Sequence, residues 1–195
     1  MDVTYIEIPG HGWWYAVTVI DYFSRYLLAC HLTPSYSAGD CVIAFNVALD
    51  EAERMSGYRP DKVTLVTDNG SSFIARRFKQ MIKEKGFDHA RIRYRTPTQL
   101  GLLERFHGTL KKEEVYWNIY ESPAQARRSL EEYRTKYNTI RPHWALILEQ
   151  GGDPATPEEV YLGKVKCEIP KWQQWAINAK KIIDEKMGDY AQTGT

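Results

Sequence analysis

Up to Leu32 this chain is written in strand text, and from Ser37 onward helical and strand patterns alternate. No other feature limits the fold as much, because strands first and alternation afterwards require an α/β domain with a mixed sheet. Asp2–Ile8 reads as a short strand, and Pro9-Gly10-His11-Gly12 turns the chain. Trp13–Ile20 is aromatic and β-branched, the mark of a buried strand. Asp21–Ser24 turns again and Arg25–Leu32 returns, which makes an antiparallel meander.

The period then changes. Val42, Phe45, Leu49 and Ala52 recur at i, i+3, i+7 and i+10, so a helix is expected over Ser37–Met55 with Ser37 as its N-cap. Lys62–Thr67 is a strand running into Asp68-Asn69-Gly70. Ser71 or Ser72 caps a helix reaching about Lys85, with Phe73, Phe78 and Ile82 on its inner face. Ala90–Arg93 suits a further strand, and a polar loop with Pro97 and Gly101 leads to a long helix over Leu102–Tyr120. Its apolar stripe is Leu103, Phe106, Leu110 and Trp117. Another helix follows at Ser122–Asn138, with Pro123 in the first turn where proline is tolerated. A last amphipathic helix is expected at Lys171–Lys186, before a frayed polar tail.

The 195 residues suffice for one domain with its own core, or one domain plus an appendage. The longest apolar runs are too short to span a bilayer and no signal peptide opens the text, so a cytoplasmic protein without membrane partners is expected. Cys30, Cys41 and Cys167 are far apart and read as reduced thiols. The net charge of +1 hides an asymmetry: residues 76–112 hold eleven Lys and Arg against Glu84, Asp88 and Glu104. A solvated helix face explains such an excess, and so does a polyanionic partner.

Three acids sit where carboxylates can converge at one rim of a sheet. Asp2 opens the first strand, Asp68 ends another, and Glu104 lies in the first turn of the long helix. Each also has a plain structural use: a frayed end, a turn before Asn-Gly, or a favourable charge at a helix N-terminus. Together they suit Mg²⁺ or Mn²⁺, which take a few carboxylates plus water and phosphate oxygens. Glu104, His107, Gly108 and Lys111 share one helix face at i, i+3, i+4 and i+7. Gly108 costs about 1 kcal/mol against Ala in a helix interior, which close helix packing or a close DNA backbone explains.

Asp2-Val3-Thr4-Tyr5, Val19-Ile20-Asp21-Tyr22-Phe23-Ser24-Arg25-Tyr26 and Thr67-Asp68-Asn69-Gly70-Ser71-Ser72-Phe73 resemble the retroviral-integrase-like catalytic core. So does Gly101-Leu102-Leu103-Glu104-Arg105-Phe106-His107-Gly108-Thr109-Leu110-Lys111-Lys112-Glu113. Tyr137-Asn138, Arg141-Pro142-His143 and Pro157-Glu158-Glu159-Val160 resemble the end of that domain in bacterial insertion-sequence transposases. Asp68 and Glu104 enclose 35 residues, the hallmark spacing of the DDE transposase and integrase superfamily.

The resemblance implies a ribonuclease-H-like α/β fold, with a mixed sheet of about five strands flanked by helices. It covers roughly residues 1–162, leaving 163–195 as a C-terminal extension with one helix. It implies Asp2, Asp68 and Glu104 as a catalytic triad holding two Mg²⁺ or Mn²⁺ ions with substrate, for DNA cleavage and strand transfer by in-line attack. It also implies DNA contacts from Asn69, Gln99, His107, Lys111 and Lys112. DNA element ends and target DNA are the implied partners, with a homodimer or higher assembly. The family usually carries a Trp shortly before the first acid, where this chain has Met1. A core without its upstream DNA-recognition region is therefore expected, with weak DNA binding of little sequence preference. Two alternatives remain open: a silent DNA-binding or dimerisation module of the same fold, and a ribonuclease H or junction-type nuclease. Asp21 is expected to cap its turn, and His143 to anchor structure locally.

Overall fold

The computed structural model describes residues 1–91, 101–146 and 153–167. Strands β1 (Asp2–Ile8), β2 (Gly12–Ile20) and β3 (Leu27–Thr33) form an antiparallel sheet in sequence order. Asp21 caps the β2–β3 turn as expected: its carboxylate accepts from the Ser24 amide at 2.8 Å and the Ser24 hydroxyl at 2.6 Å. β3 starts two residues later than its sequence suggests, because Arg25 takes a positive φ of 65° that strand pairing does not allow.

Helix α1 (Ala38–Ser56) begins at Ser37, which forms a capping box with Asp40. Strand β4 (Thr64–Thr67) and β5 (Asp88–Arg91) pair in parallel, so a crossover must join them. That crossover is α2 (Ser71–Ile74) and α3 (Arg76–Glu84), not the single helix its sequence predicts. The helix breaks at Ala75, whose ψ is 143°. Phe73 and Phe78 are both fully buried in one core. Five residues apart on an unbroken helix they would diverge by roughly 140°. The break turns both inward.

Helix α4 (Gly101–Glu113) buries Leu103, Phe106 and Leu110 as expected. It then stops, and a 3₁₀ turn over Val115–Trp117 replaces the predicted continuation to Tyr120. Trp117 is 83% exposed and leaves the expected apolar stripe, while Tyr120 enters the core. Helix α5 (Pro123–Thr139) is capped by Ser122 and carries Pro123 in its first turn. A short α6 (Pro157–Tyr161), capped by Thr156 and Glu159, packs against it. The helix expected at Lys171–Lys186, and most of the 163–195 extension, lie outside the described residues.

The three-stranded sheet has a core on each face. Val17, Val19 and Ala29 pack with Phe45, Ala48 and Leu49 of α1 and with Phe73 and Phe78. Ile6, Ile8, Ala16 and Leu32 pack on the other face with Phe106, Leu110, Leu130 and Tyr137 of α4 and α5. β2 feeds both cores from alternate positions, which explains its near-continuous apolar text. At the sheet's other edge, the Met1 amino group donates to the Val66 carbonyl at 2.8 Å, so β1 begins beside the end of β4. Among the described residues the five strands form two sheets, three antiparallel strands and two parallel ones, where a single mixed sheet of about five was expected. Cys30, Cys41 and Cys167 are free thiols, and burial pushes Cys30 and Cys41 up to about 12.

Candidate active site

The Met1–Val66 contact sets the geometry of the site, because it brings Asp2 at the start of β1 alongside Asp68 just past the end of β4. Asp68 is held by its own loop. Its Oδ1 accepts the Gly70 amide at 2.9 Å. A β-carbon on Gly70 would stand 2.9 Å from that same oxygen and collide with the Tyr36 hydroxyl, so only glycine fits there. Asn69 between them is exposed.

The Asp2 carboxyl is shifted upward. Burial raises its carboxyl to about 6; the Val3 amide, 2.8 Å from Oδ1, opposes this, and the negative charges of Asp68 and Glu104 add to it. The charges of Asp68 and Glu104 therefore act on Asp2 at this rim. Burial lowers the Met1 amino group beside them to about 6 against the pull of Asp2 and Asp68.

His107 turns away from the surface expected for a DNA contact. Its ring lies under Asp2, with Nε2 2.9 Å from the Thr18 hydroxyl and Nδ1 3.6 Å from Asp2 Oδ2. The second distance is too long for a direct hydrogen bond. Burial, then the nearby Lys111 and Met1 charges, lower His107 to about 4, so it is neutral at pH 7. Glu104 and Lys112 are exposed. Lys111 leans over the Tyr5 ring, with Nζ 4.3 Å from its centroid. Gln99 lies outside the described residues. Gly108 meets nothing within 4 Å of a built β-carbon, so close packing does not explain it.

Two residues of this neighbourhood escaped the sequence reading. Thr18 links the Asp2 carbonyl, at 3.2 Å, to His107. Its signal was a lone hydroxyl in an apolar strand. Tyr36 packs its hydroxyl on Gly70, and burial and the Asp68 charge raise its phenol. No spacing in the sequence announces that contact. His143 is a local anchor as expected, with Nε2 3.0 Å from Arg141 Nη1 and its ring edge-on to Tyr137.

The donor set consists of hard carboxylate oxygens with mutual repulsion, which suits a divalent ion of the Mg²⁺ or Mn²⁺ kind. Among the described residues no three acids, histidines or cysteines are gathered into a ready cage. The fit rests on donor chemistry and on the Asp68 and Glu104 charges that act on Asp2. No helix among the described residues is long and apolar enough to cross a membrane.

Comparison with known proteins fits this arrangement. A family described as integrase core domain matches residues 1–97, and a second family of the same description matches 85–147. The chain is 35% identical over 127 residues to an uncharacterised 39.2 kDa protein of insertion element IS476 from Xanthomonas euvesicatoria, covering 65% of this chain and 35% of that protein. It is 28% identical over 149 residues to the transposase of insertion sequence element IS904 from Lactococcus lactis, covering 74% of this chain and 55% of that one. The chain thus spans about a third to just over half of these curated relatives. Among solved structures, the HTLV-2 integrase catalytic core domain in complex with magnesium aligns with a TM-score of 0.59 at 16% identity, over 82% of this chain and 92% of that one. A simian T-cell lymphotropic virus intasome aligns with a TM-score of 0.63 at 17% identity, over 82% and 52%. These likenesses identify the fold as the ribonuclease-H-like fold of integrase catalytic cores.

Proposed function

We propose that this chain, whose residues 1–97 and 85–147 match integrase core domains, is a polynucleotidyl transferase core of the DDE type that cuts DNA and joins strands. Asp2, Asp68 and Glu104 are its catalytic and metal-binding acids. The observation that carries this reading is the Met1–Val66 contact, which starts β1 beside the end of β4 and so brings Asp2 near Asp68 at one rim, where the Asp68 and Glu104 charges act on Asp2. Two Mg²⁺ or Mn²⁺ ions, when bound, would supply charge stabilisation for in-line attack on a phosphodiester.

The chain's own residues do the rest. Asp68 is oriented by the Gly70 amide and Asp2 by the Val3 amide, so both carboxylates meet the substrate in fixed directions. Neutral His107 and Thr18 support Asp2 from beneath, which makes His107 a positioning residue. Lys111 and Lys112 hold DNA phosphates beside Glu104, and Asn69 and Gln99 flank the reacting strand. Element ends and target DNA are the substrates, and the working form is a homodimer or higher assembly. The HTLV-2 core was solved in dimeric and trimeric forms, which supports that last point by analogy.

Calorimetric titration with Mn²⁺, run beside a DNA-nicking assay, tests the triad. Asp68→Asn should lose saturable Mn²⁺ binding and all metal-dependent nicking. Removing one of three repelling charges should also raise its melting temperature without metal. Nicking retained in Asp68→Asn would remove Asp68 from the triad.

A further inference from the structure

The face of the sheet that sends Val3 and Val17 into the α1 core continues toward the β1–β2 hairpin as a run of aromatic rings. Tyr5, Tyr15 and Trp13 occupy the same alternation as Val3 and Val17, so they share that face. Tyr5 and Tyr15 are direct cross-strand partners. Tyr15 stacks on Tyr36 at 6.2 Å and 24°, and Tyr5 meets Trp13 edge-on at 5.3 Å. Tyr36 in turn rests on Gly70 beside Asp68. Two ring pairs, set side by side by the Tyr5–Tyr15 strand pairing, therefore make a track from the Asp68 loop to the hairpin, and its outer members are open to solvent: Tyr5 is 57% and Trp13 56% exposed.

Cations accompany the rings. Lys111 comes from α4, on the opposite side of the sheet, and reaches across the β1 edge to place Nζ over Tyr5. Near Tyr36, the Arg77 guanidinium closes over Gly39, with Nη1 3.2 Å from where a β-carbon there would lie. Glu7 faces Trp13 across the strands at the far end, so the positive charge lies on the side nearer the acids. Exposed single aromatics need no explanation, but touching rings interleaved with cations suit one ligand chemistry. Each base of a nucleic acid has a π-face that stacks on a ring, and each phosphate wants a cation. A duplex hides those π-faces between its own base pairs.

We propose that this track binds an unpaired stretch of the DNA strand that enters the site, with bases stacked on Trp13 and Tyr5 and a phosphate drawn onto Lys111. The proposal rests on the transferase reading above, since the strand would leave the track at Asp68. In effect the enzyme would prefer DNA already opened near the reacting phosphate.

Fluorescence anisotropy with a labelled oligo-dT strand and with a duplex of equal length, in EDTA, separates stacking from catalysis. Trp13→Ala and Tyr5→Ala should each weaken single-strand binding roughly tenfold, or about 1.4 kcal/mol, and change duplex binding less than twofold. Trp13→Phe, which keeps a ring, should restore most of the loss and control for folding. Unchanged single-strand affinity, an equal loss on duplex, or a Phe variant as weak as Ala would each overturn the track. Nicking by the wild type is scored separately. Nicking without the single-strand effect removes the track alone, whereas the single-strand effect without nicking keeps the track and removes the transferase reading.

Discussion

Glu51 shows how much one side chain holds at the residue scale. It is 9% exposed and accepts from Tyr26 Oη at 2.8 Å, Arg54 Nε at 2.7 Å and Arg134 Nη1 at 2.9 Å. Burial alone would raise its carboxyl, but these donors outweigh it and hold it at about 2, below its ordinary 4.5. The folded state therefore favours the ionised form. Its contribution is complete above pH 4.5 and fades as pH falls toward 2. Chemical denaturation from pH 6 to 3 should show this loss, and Glu51→Gln should flatten it while costing on the order of 2 kcal/mol at pH 7. Lys111 makes a separate prediction: Lys111→Ala should weaken DNA binding across all sequences and shallow the log-affinity slope against log salt by about one. An unchanged slope would take Lys111 off the phosphate path. The turn that holds Asp68 was legible because Asp-Asn-Gly after a strand is a local signal. His107 was not, because the i, i+3, i+7 spacing puts it on one face with Glu104 and Lys111 without saying that this face meets Asp2 and Thr18.

Among the elements, α1 and α5 followed their sequences closely because each opens on a local signal, Ser37 with Asp40 and Ser122 with Pro123. The second and third helices and the end of α4 did not. No proline or glycine marks Ala75, and only the joint burial of Phe73 and Phe78 explains the break there. Similarly, α4 ends where Glu114 accepts from Tyr120 and Ser129 and draws the next segment inward. Both are tertiary effects that no local window contains. Gly108 allows a test on α4 itself. With open space around it, Gly108→Ala should stabilise the protein by about 0.5–1 kcal/mol in thermal or denaturant unfolding. If DNA backbone passes close to that face, the same variant should bind duplex DNA less well, and stability and affinity will move in opposite directions.

For the whole molecule, the three acids belong to different cores. Asp68 follows a strand whose Leu65 lies in the α1 core, Glu104 rides on the helix of the α4–α5 core, and Asp2 starts a strand touching both. Hydrogen exchange should resolve this as two cooperative units, with α4 amides opening at a different free energy from those of α1. Added duplex DNA with Mn²⁺ should slow exchange in α4 more than in α1, because α4 carries Glu104, Lys111 and Lys112 on the proposed DNA face. The layered sheet thus leaves Asp68 and Glu104 on elements held by different cores. If the proposed transferase reading holds, an acid carried by a different core from the other two would leave the site incomplete on DNA merely touched, and complete only while a seated substrate holds both cores together.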